Sequence, residues 1–157
     1  MRGKKAEKRK TEADKIYNNR LVAKFINRLM RDGKKTVAEG IFYKTLDIIS
    51  KKGQDPLKTF ETAIQNVGPK VEVKARRVGG ASYQVPQEVR GERKVSLAIR
   101  WIITAAKDRS NKDYHTFDEK LAAELIDASQ NMGAAIKKRD TVLKMAEANK
   151  AFAHFRW

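Results

Sequence analysis

The stretch KVEVKARRVGGASYQVPQEVRGER, residues 70–93, leaves the helical periodicity of the chain around it and concentrates positive charge. Apolar and polar residues alternate over residues 71–76 and again over residues 82–85, on either side of the pair Gly79-Gly80. A period of two is typical of paired β-strands, and a glycine pair between them is typical of a turn. The stretch therefore predicts a basic antiparallel β-ribbon over residues 70–91.

Two connections between the strands are compatible with this pattern. A two-residue turn at Gly79-Gly80 would set Val73 opposite Pro86, which leaves the apolar residues of the two strands on opposite faces. A three-residue loop over residues 78–80 would set Val73 opposite Val85, so that one face becomes apolar. We expect the longer loop, with the basic side chains of the first strand on the other face.

Composition limits the classes of function. The chain has 157 residues, 41% of them hydrophobic, and we expect a single domain over residues 1–157. Its net charge of +16, from 35 Lys and Arg against 19 Asp and Glu, indicates a polyanionic partner. The absence of cysteine and the presence of only two histidines argue against a metal site, and we expect no cofactor. No apolar run suits a membrane span or a signal peptide, so we expect a cytoplasmic chain without a membrane partner.

Hydrophobic periodicity predicts helices on both sides of the ribbon. The predicted helices cover residues 19–31, 36–51, 56–67, 95–107 and 116–131, followed by a last helix that contains Val142 and Met145. Asp55-Pro56 predicts the start of the third helix, and Thr116 with Glu119 predicts a capping box at the fifth. The predicted fold class is mainly α: a bundle of about six helices with a protruding two-stranded ribbon between the third and fourth.

Basic clusters lie outside the ribbon as well. We expect the N-terminal arm, residues 1–18, to be disordered until its charge is neutralised. A corner follows the first helix at Lys34-Lys35, and a triplet, Lys137-Lys138-Arg139, is expected in the loop or first turn before the last helix. The tail, residues 148–157, is aromatic and basic; docking on the core, stacking on bases and a combination of both are all compatible with it.

No catalytic constellation emerges from the residues. Ser110 and His115 stand on a polar connection without a strand-to-helix elbow. The carboxylates Glu119, Glu124 and Asp127 fit the solvated side of a helix better than paired acid–base work. Arg109 is expected where its charge can reach solvent or phosphate. We therefore expect no enzyme but phosphate binding by many cations, and because the basic clusters are scattered, a folded RNA fits better than one linear groove.

Four segments carry a family resemblance. They are LVAKFINRLMRDGKK (residues 21–35), NVGPKVEVKARRVGGASYQVPQEV (66–89), Arg100-Trp101 and MAEANKAFAHFRW (145–157). In these the chain resembles bacterial-type small-subunit ribosomal protein seven, a family of RNA-binding ribosomal proteins without enzymatic activity.

The resemblance implies specific partners. It implies binding to the 3′ major domain of 16S rRNA, nucleation of head assembly beside neighbouring small-subunit ribosomal proteins, and a ribbon at the intersubunit side near mRNA and exit-site tRNA. The predicted RNA contacts, from the resemblance and from the charge pattern, are Arg2, Lys4, Lys5, Lys8, Arg9, Lys10, Lys34, Lys35, Lys74, Arg76, Arg77, Tyr83, Gln84, Arg93, Lys137, Lys138, Arg139 and Arg156.

Two alternatives stay open. An architectural DNA-binding protein also combines a helical body with a basic β-arm, although such arms often carry an apolar residue or proline at the tip. The predicted tip here is Arg77-Val78-Gly79-Gly80. An RNA-modifying enzyme is the second alternative, and it would be exposed by altered nucleotides after incubation with rRNA and common cofactors.

Overall fold

A computed structural model of the chain describes residues 3 and 11–155. The elements in that part of the chain are α1 (Arg20–Leu29), α2 (Lys35–Lys51), α3 (Pro56–Val67), β1 (Val71–Val78), β2 (Ala81–Glu88), α4 (Gly91–Asp108), α5 (Phe117–Ser129), α6 (Ala134–Ala148) and a C-terminal 3₁₀ helix (Lys150–Phe155). The predicted fold class is confirmed, since the chain is mainly helical and its antiparallel ribbon lies between α3 and α4.

The chain divides into two compact units, Met1–Gly40 and Ile41–Trp157. In the first unit, the side-chain oxygen of Asn19 accepts the backbone N–H of Leu21 at 2.8 Å and so caps the start of α1. The carboxylate of Asp14, a buried residue, accepts the N–H groups of Ile16 and Tyr17. The end of the arm is thus held by hydrogen bonds within this unit. The single-domain expectation for the whole chain stays a prediction.

The core of the second unit lies among α3, α4 and α5, which pack against one another. Its largest fully buried side chains include Phe42, Phe60, Ile102, Leu121 and Leu125. The rings of Phe42 and Phe60 meet edge to face, with centroids 5.3 Å apart. As predicted from its apolar sequence, α4 occupies a central position, in contact with α3, α5 and α6. In the part of the chain covered by residues 11–155, no helix is long and apolar enough to cross a bilayer.

Helix ends follow the predicted capping residues. The carboxylate of Asp55 accepts the N–H groups of Leu57 and Lys58 at 3.0 and 3.2 Å, and Pro56 opens α3. At the start of α5, the carboxylate of Glu119 accepts the N–H of Thr116 at 3.2 Å. These hydrogen bonds confirm both predicted starts. The starts could be predicted because the bonds join residues only two or three positions apart in sequence.

The register of the ribbon differs from the predicted one. Val73 lies opposite Pro86 and Val78 opposite Ala81, so the connection is the two-residue turn and the three-residue loop was wrong. Gly79 and Gly80 both have positive φ, 56° and 91°, which a type I′ hairpin turn requires at both central residues. The glycine pair is therefore compatible with the observed two-residue turn.

The prediction failed because it assumed that the apolar residues of both strands share one face. In the observed register Val85 pairs with Lys74 and Tyr83 with Arg76, so these four residues share the face that also carries buried Glu72. The predicted separation of Lys74 and Arg76 from the apolar residues of β2 is therefore also wrong. Val85 is fully buried because this face packs on helices.

The helices that support the ribbon come from the end of the chain. Helix α6 packs against both strands, and the 3₁₀ helix packs against β2. The ring of Tyr83 lies 5.2 Å from that of Phe152 and 5.1 Å from that of Phe155, centroid to centroid. The described residues of the tail dock on the ribbon and on α6, and stacking of the tail on bases stays a prediction. The turn itself, Gly79 and Gly80, is exposed.

Asn66 connects three helices at the base of the ribbon. The amide nitrogen of Asn66, near the end of α3, donates to the carbonyl oxygens of Ala128 and Ser129 at 3.1 and 2.9 Å. The carbonyl oxygen of Asn66 accepts Nη1 of Arg139 at 2.8 Å. Asn66 thereby joins α3, α5 and α6 a few residues before β1 begins.

Two expectations about charged residues were wrong. Glu124 is fully buried, not part of a solvated face, and Arg109 is turned toward it and away from solvent. Burial of the carboxylate is possible because its oxygens accept hydrogen bonds from Arg109 and from the backbone N–H of Ala135. Helical periodicity cannot reveal this, since the partners lie 11 and 15 residues away in sequence.

Candidate nucleic-acid interface

The outward face of the ribbon presents a small polar surface. Cross-strand pairing puts Ala75 opposite Gln84 and Arg77 opposite Ser82, and all four residues are exposed. Within residues 11–155, no ion pair involves Arg77. Its guanidinium and the amide of Gln84 therefore project from one side of the ribbon, near the exposed glycine turn. A surface of this kind can accept phosphate or base-edge oxygens.

The inward face near the tip carries Arg76 and Tyr83, which are paired across the strands and half-buried. Phe152 and Phe155 occupy the surroundings of the Tyr83 ring, and the ring of His154 lies 4.0 Å from that of Phe155. Tyr83, which we predicted to contact RNA, thus packs inside the protein, where it connects the tail to the ribbon.

The base of the ribbon holds an ion cluster of Glu72, Lys74 and Arg93. Oε1 of Glu72 accepts Nε of Arg93 at 2.6 Å and lies 3.3 Å from Nζ of Lys74. The hydrogen bond from Arg93 lowers the pKa of Glu72; burial opposes this, and Lys74 adds to the lowering. The same hydrogen bond raises the pKa of Arg93. Glu72 and Arg93 are therefore both charged at neutral pH.

The predicted triplet on α6 separates into two kinds of cation. Lys137, Lys138 and Arg139 lie in the helix, which begins at Ala134 and so earlier than expected. Lys137 and Lys138 are exposed, whereas the guanidinium of Arg139 is half-buried and donates to the carbonyl oxygen of Asn66. Its other hydrogen bonds go to the side chains of Asp140 and Asn131.

Sequence reasoning missed Lys144 on the same helix. Lys144 is exposed and lies seven residues after Lys137, a spacing of two turns that places both on one side of α6. Thr141 lies between them and donates its hydroxyl to the carbonyl oxygen of Lys137 at 2.8 Å. The seven-residue spacing was available as a signal, but the uncharged residues 141–143 separate Lys144 from the basic triplet and hid it.

The Lys34-Lys35 corner belongs to the first compact unit. Both residues are exposed, and Nζ of Lys35 is 3.9 Å from Oε1 of Glu39, one turn along α2. The corner follows Asp32 and Gly33, both of which have positive φ. The other predicted contacts, Arg2, Lys4, Lys5, Lys8, Arg9, Lys10 and Arg156, lie outside the described residues.

The remaining polar residues that we considered for catalysis have local roles. The hydroxyl oxygen of Ser110 accepts the N–H of Lys112 at 3.1 Å, and the N–H of His115 donates to Glu119 at 3.0 Å. Among residues 3 and 11–155, no three His, Asp or Glu side chains are arranged to hold a metal ion.

Comparison with known proteins decides the family. The model of the family described as ribosomal protein S7p/S5e matches residues 1–150. The chain belongs to this family. The small ribosomal subunit protein uS7 of Nitratidesulfovibrio vulgaris is 59% identical over 145 residues, which cover 92% of this chain and 91% of that protein. The proteins of the same name from Acetivibrio thermocellus and Sorangium cellulosum are 57% and 55% identical, over 96% and 99% of this chain and 95% and 99% of theirs. The resemblance in the four sequence segments is thereby confirmed as membership of the S7p/S5e family.

Proposed function

We propose that the chain is a structural, non-enzymatic constituent of the small ribosomal subunit, in the cytoplasmic ribosome, where it contacts ribosomal RNA and neighbouring ribosomal proteins. Membership of the S7p/S5e family supports this, as do relatives named for the small subunit that match nearly the full length of the chain. The net charge of +16 suits a polyanionic partner.

Within that role, we propose the 3′ major domain of 16S rRNA as the RNA target and nucleation of head assembly as the consequence of binding. The ribbon would lie at the intersubunit side, near mRNA and exit-site tRNA. These specifics follow from the sequence resemblance, and the exposed outer face of the ribbon, with its guanidinium at Arg77 and its amide at Gln84, is compatible with them.

The observation that carries the RNA-binding proposal is the separation of exposed cations from cations used internally. Among the predicted contact cations of the second unit, the exposed ones are Lys74, Arg77, Arg93, Lys137 and Lys138, and the newly recognised Lys144 is exposed as well. They come from β1, α4 and α6, so phosphates could approach from several directions, as in a folded RNA. Arg139 and Tyr83, in contrast, make contacts inside the protein that support the elements carrying these cations.

The proposal is tested by binding of the full chain to a transcript of the 3′ major domain of 16S rRNA. If roughly six to ten phosphates are contacted, affinity should fall by a factor of about 10³ to 10⁵ between roughly 50 and 200 mM salt. A transcript of another 16S rRNA domain, of equal length, is the control and should bind more weakly at every salt concentration.

The same assay separates the alternatives. Tighter binding to random duplex DNA than to the 3′ major domain would favour the architectural DNA-binding protein and overturn the proposal. The exposed turn argues against that alternative, because Gly79 and Gly80 offer no apolar wedge to insert between base pairs.

A further inference from the structure

Glu72 is an acidic residue in the middle of a basic surface. It is the third residue of the stretch that carries the ribbon's charge, and its side chain is only 10% exposed. A carboxylate at such a position repels phosphate, so a surface optimised for charge alone would not keep it there. Its contacts indicate what it does instead.

Two predicted RNA contacts converge on one oxygen of this carboxylate. The contacts of Oε1 with Nε of Arg93 and with Nζ of Lys74 are 2.6 and 3.3 Å, so the two nitrogens lie within about 6 Å of each other. Lys74 is on β1 and Arg93 is in the first turn of α4. Without the shared carboxylate, two like charges at this distance would repel each other.

The pairing leaves donors available on both cations. Arg93 uses Nε toward Glu72, and in residues 11–155 neither of its Nη groups makes a hydrogen bond; the ammonium of Lys74 has three N–H groups and one such partner. The side chains of Arg93 and Lys74 are 52% and 50% exposed. Their remaining N–H groups can therefore reach a ligand at the corner between the ribbon and α4.

We propose that Glu72 is a positioning residue that holds Lys74 and Arg93 together so that both donate to one phosphate group of the RNA backbone. The cluster keeps a net charge of +1, and fixing two flexible side chains in advance reduces the entropy that binding must overcome. This inference rests on the proposed RNA-binding function and adds to it a residue that does not itself touch RNA.

The test measures binding of the full-length chain to the 3′ major domain transcript at several salt concentrations. Glu72→Gln adds one unit of positive charge, and if charge alone mattered it would tighten binding. We expect the opposite, a loss of about threefold to tenfold, with a shallower dependence of affinity on salt because about one phosphate contact is lost.

Glu147→Gln is the matched control. Glu147 is exposed on α6, and the substitution changes the net charge by the same amount. We expect unchanged or slightly tighter binding from this variant. If Glu72→Gln binds as Glu147→Gln does, the positioning role is wrong. If the wild-type chain does not prefer this transcript at all, the proposed function fails instead, so the two failures are distinguishable.

Two further variants guard against an effect on folding. Glu72→Asp keeps the net charge, so only loss of the two-cation geometry can weaken binding, and affinity equal to wild type would overturn the proposal. In a chain that carries Lys74→Ala and Arg93→Ala, Glu72→Gln should act as Glu147→Gln does, with affinity unchanged or slightly tighter. A persistent loss in that background would show that Glu72 acts through something other than these two cations.

Discussion

Nε and Nη2 of Arg109 both contact one oxygen of Glu124, Oε2, at 2.8 and 2.6 Å. The other oxygen, Oε1, accepts the backbone N–H of Ala135 at 2.9 Å. Arg109 also pairs with Asp127, and its guanidinium lies 5.6 Å from the centroid of the Tyr114 ring. Burial lowers the pKa of Arg109, but its hydrogen bonds to Asp127 and Glu124 outweigh burial and raise it. The residue after α4 is thus tied to α5 and to the start of α6.

Removal of the arginine should destabilise the fold strongly. Arg109→Met leaves the Glu124 side chain, which is 1% exposed, as a buried charge without its partner, and we expect the free energy of unfolding to fall by about 3 kcal/mol. Urea unfolding at pH 7 measures this. Asp127→Asn is the control: Asp127 is 37% exposed, so its loss should cost about 1 kcal/mol or less. Equal losses in the two variants would contradict the role assigned to Glu124.

Gly133→Ala should also be destabilising, since the backbone there has φ 94° and ψ 174°. A Cβ at this position would lie 2.9 Å from Oε1 of Glu124. We expect a loss of about 1 to 3 kcal/mol in thermal or urea unfolding.

Gly40→Ala provides the contrast, because Gly40 lies inside α2 and its Cβ would meet no atom within 4 Å. That change should stabilise the chain by about 1 kcal/mol. If Gly133→Ala stabilised the chain as Gly40→Ala is expected to, alanine would be tolerated at residue 133 and the prediction would be wrong.

The contact between Tyr83 and the tail predicts a local effect. Tyr83→Ala removes the ring that Phe152 and Phe155 pack against, so the amides of residues 150–155 should exchange hydrogen faster. Tyr83→Phe keeps the ring and should preserve both this protection and RNA affinity. If the alanine variant loses RNA affinity with no change in exchange, Tyr83 contacts RNA directly rather than through the tail.

The ion cluster at the base of the ribbon predicts a pH dependence. Because the folded state lowers the pKa of Glu72 from its ordinary 4.5, the pair with Arg93 contributes stability above about pH 4.5. That contribution is lost as the pH falls through the lower, folded-state pKa. It should be about 1 kcal/mol or less, since Arg93 is half-exposed.

Urea unfolding of wild type and Glu72→Gln between pH 7 and pH 3 measures this contribution. The difference between the two chains should shrink toward the acidic end, and a constant difference would indicate that the pair adds nothing that depends on ionisation.

Arg77 and Arg139 should respond differently to alanine. Arg77→Ala removes an exposed cation, so RNA affinity should fall while the melting temperature stays within about 2 °C of wild type. Arg139→Ala removes hydrogen bonds to Asn66 and Asn131, so unfolding free energy should fall by about 1 to 3 kcal/mol. Calorimetry and the transcript-binding assay distinguish them. A large drop in melting temperature for Arg77→Ala would mean that this side chain supports the fold.

Local signals predicted the helices well. Asp55 accepts N–H groups two and three residues further on, and Glu119 accepts the N–H of Thr116 three residues before it, so both caps depend on local spacing alone. The alternation around Gly79-Gly80 correctly predicted a ribbon. The register did not follow from the same pattern, because it depends on which face the C-terminal helices cover, and residues 134–155 are distant in sequence from β1 and β2.

Charge was harder to interpret than hydrophobicity. Sequence alone placed Arg77, Arg93 and Arg139 among the RNA contacts and expected the charge of Arg109 to reach solvent or phosphate. Their partners separate them: Arg109 binds Glu124, Arg139 binds the carbonyl oxygen of Asn66, and Arg93 shares Glu72 with a lysine. Each of these three arginines lies at least 15 residues from the partner named here, so no local spacing rule could assign the pairs.

The bonds of Asn66 have a consequence for biosynthesis. Translation proceeds from the N-terminus, so β1 and β2 emerge before α5, α6 and the 3₁₀ helix exist. Until Ala128, Ser129 and Arg139 have been added, the amide and carbonyl of Asn66 lack these partners, and the hairpin lacks its packing against α6 and the 3₁₀ helix. The nascent chain therefore completes the packing of its hairpin only when its last quarter has been made, and a product truncated before α6 lacks those contacts.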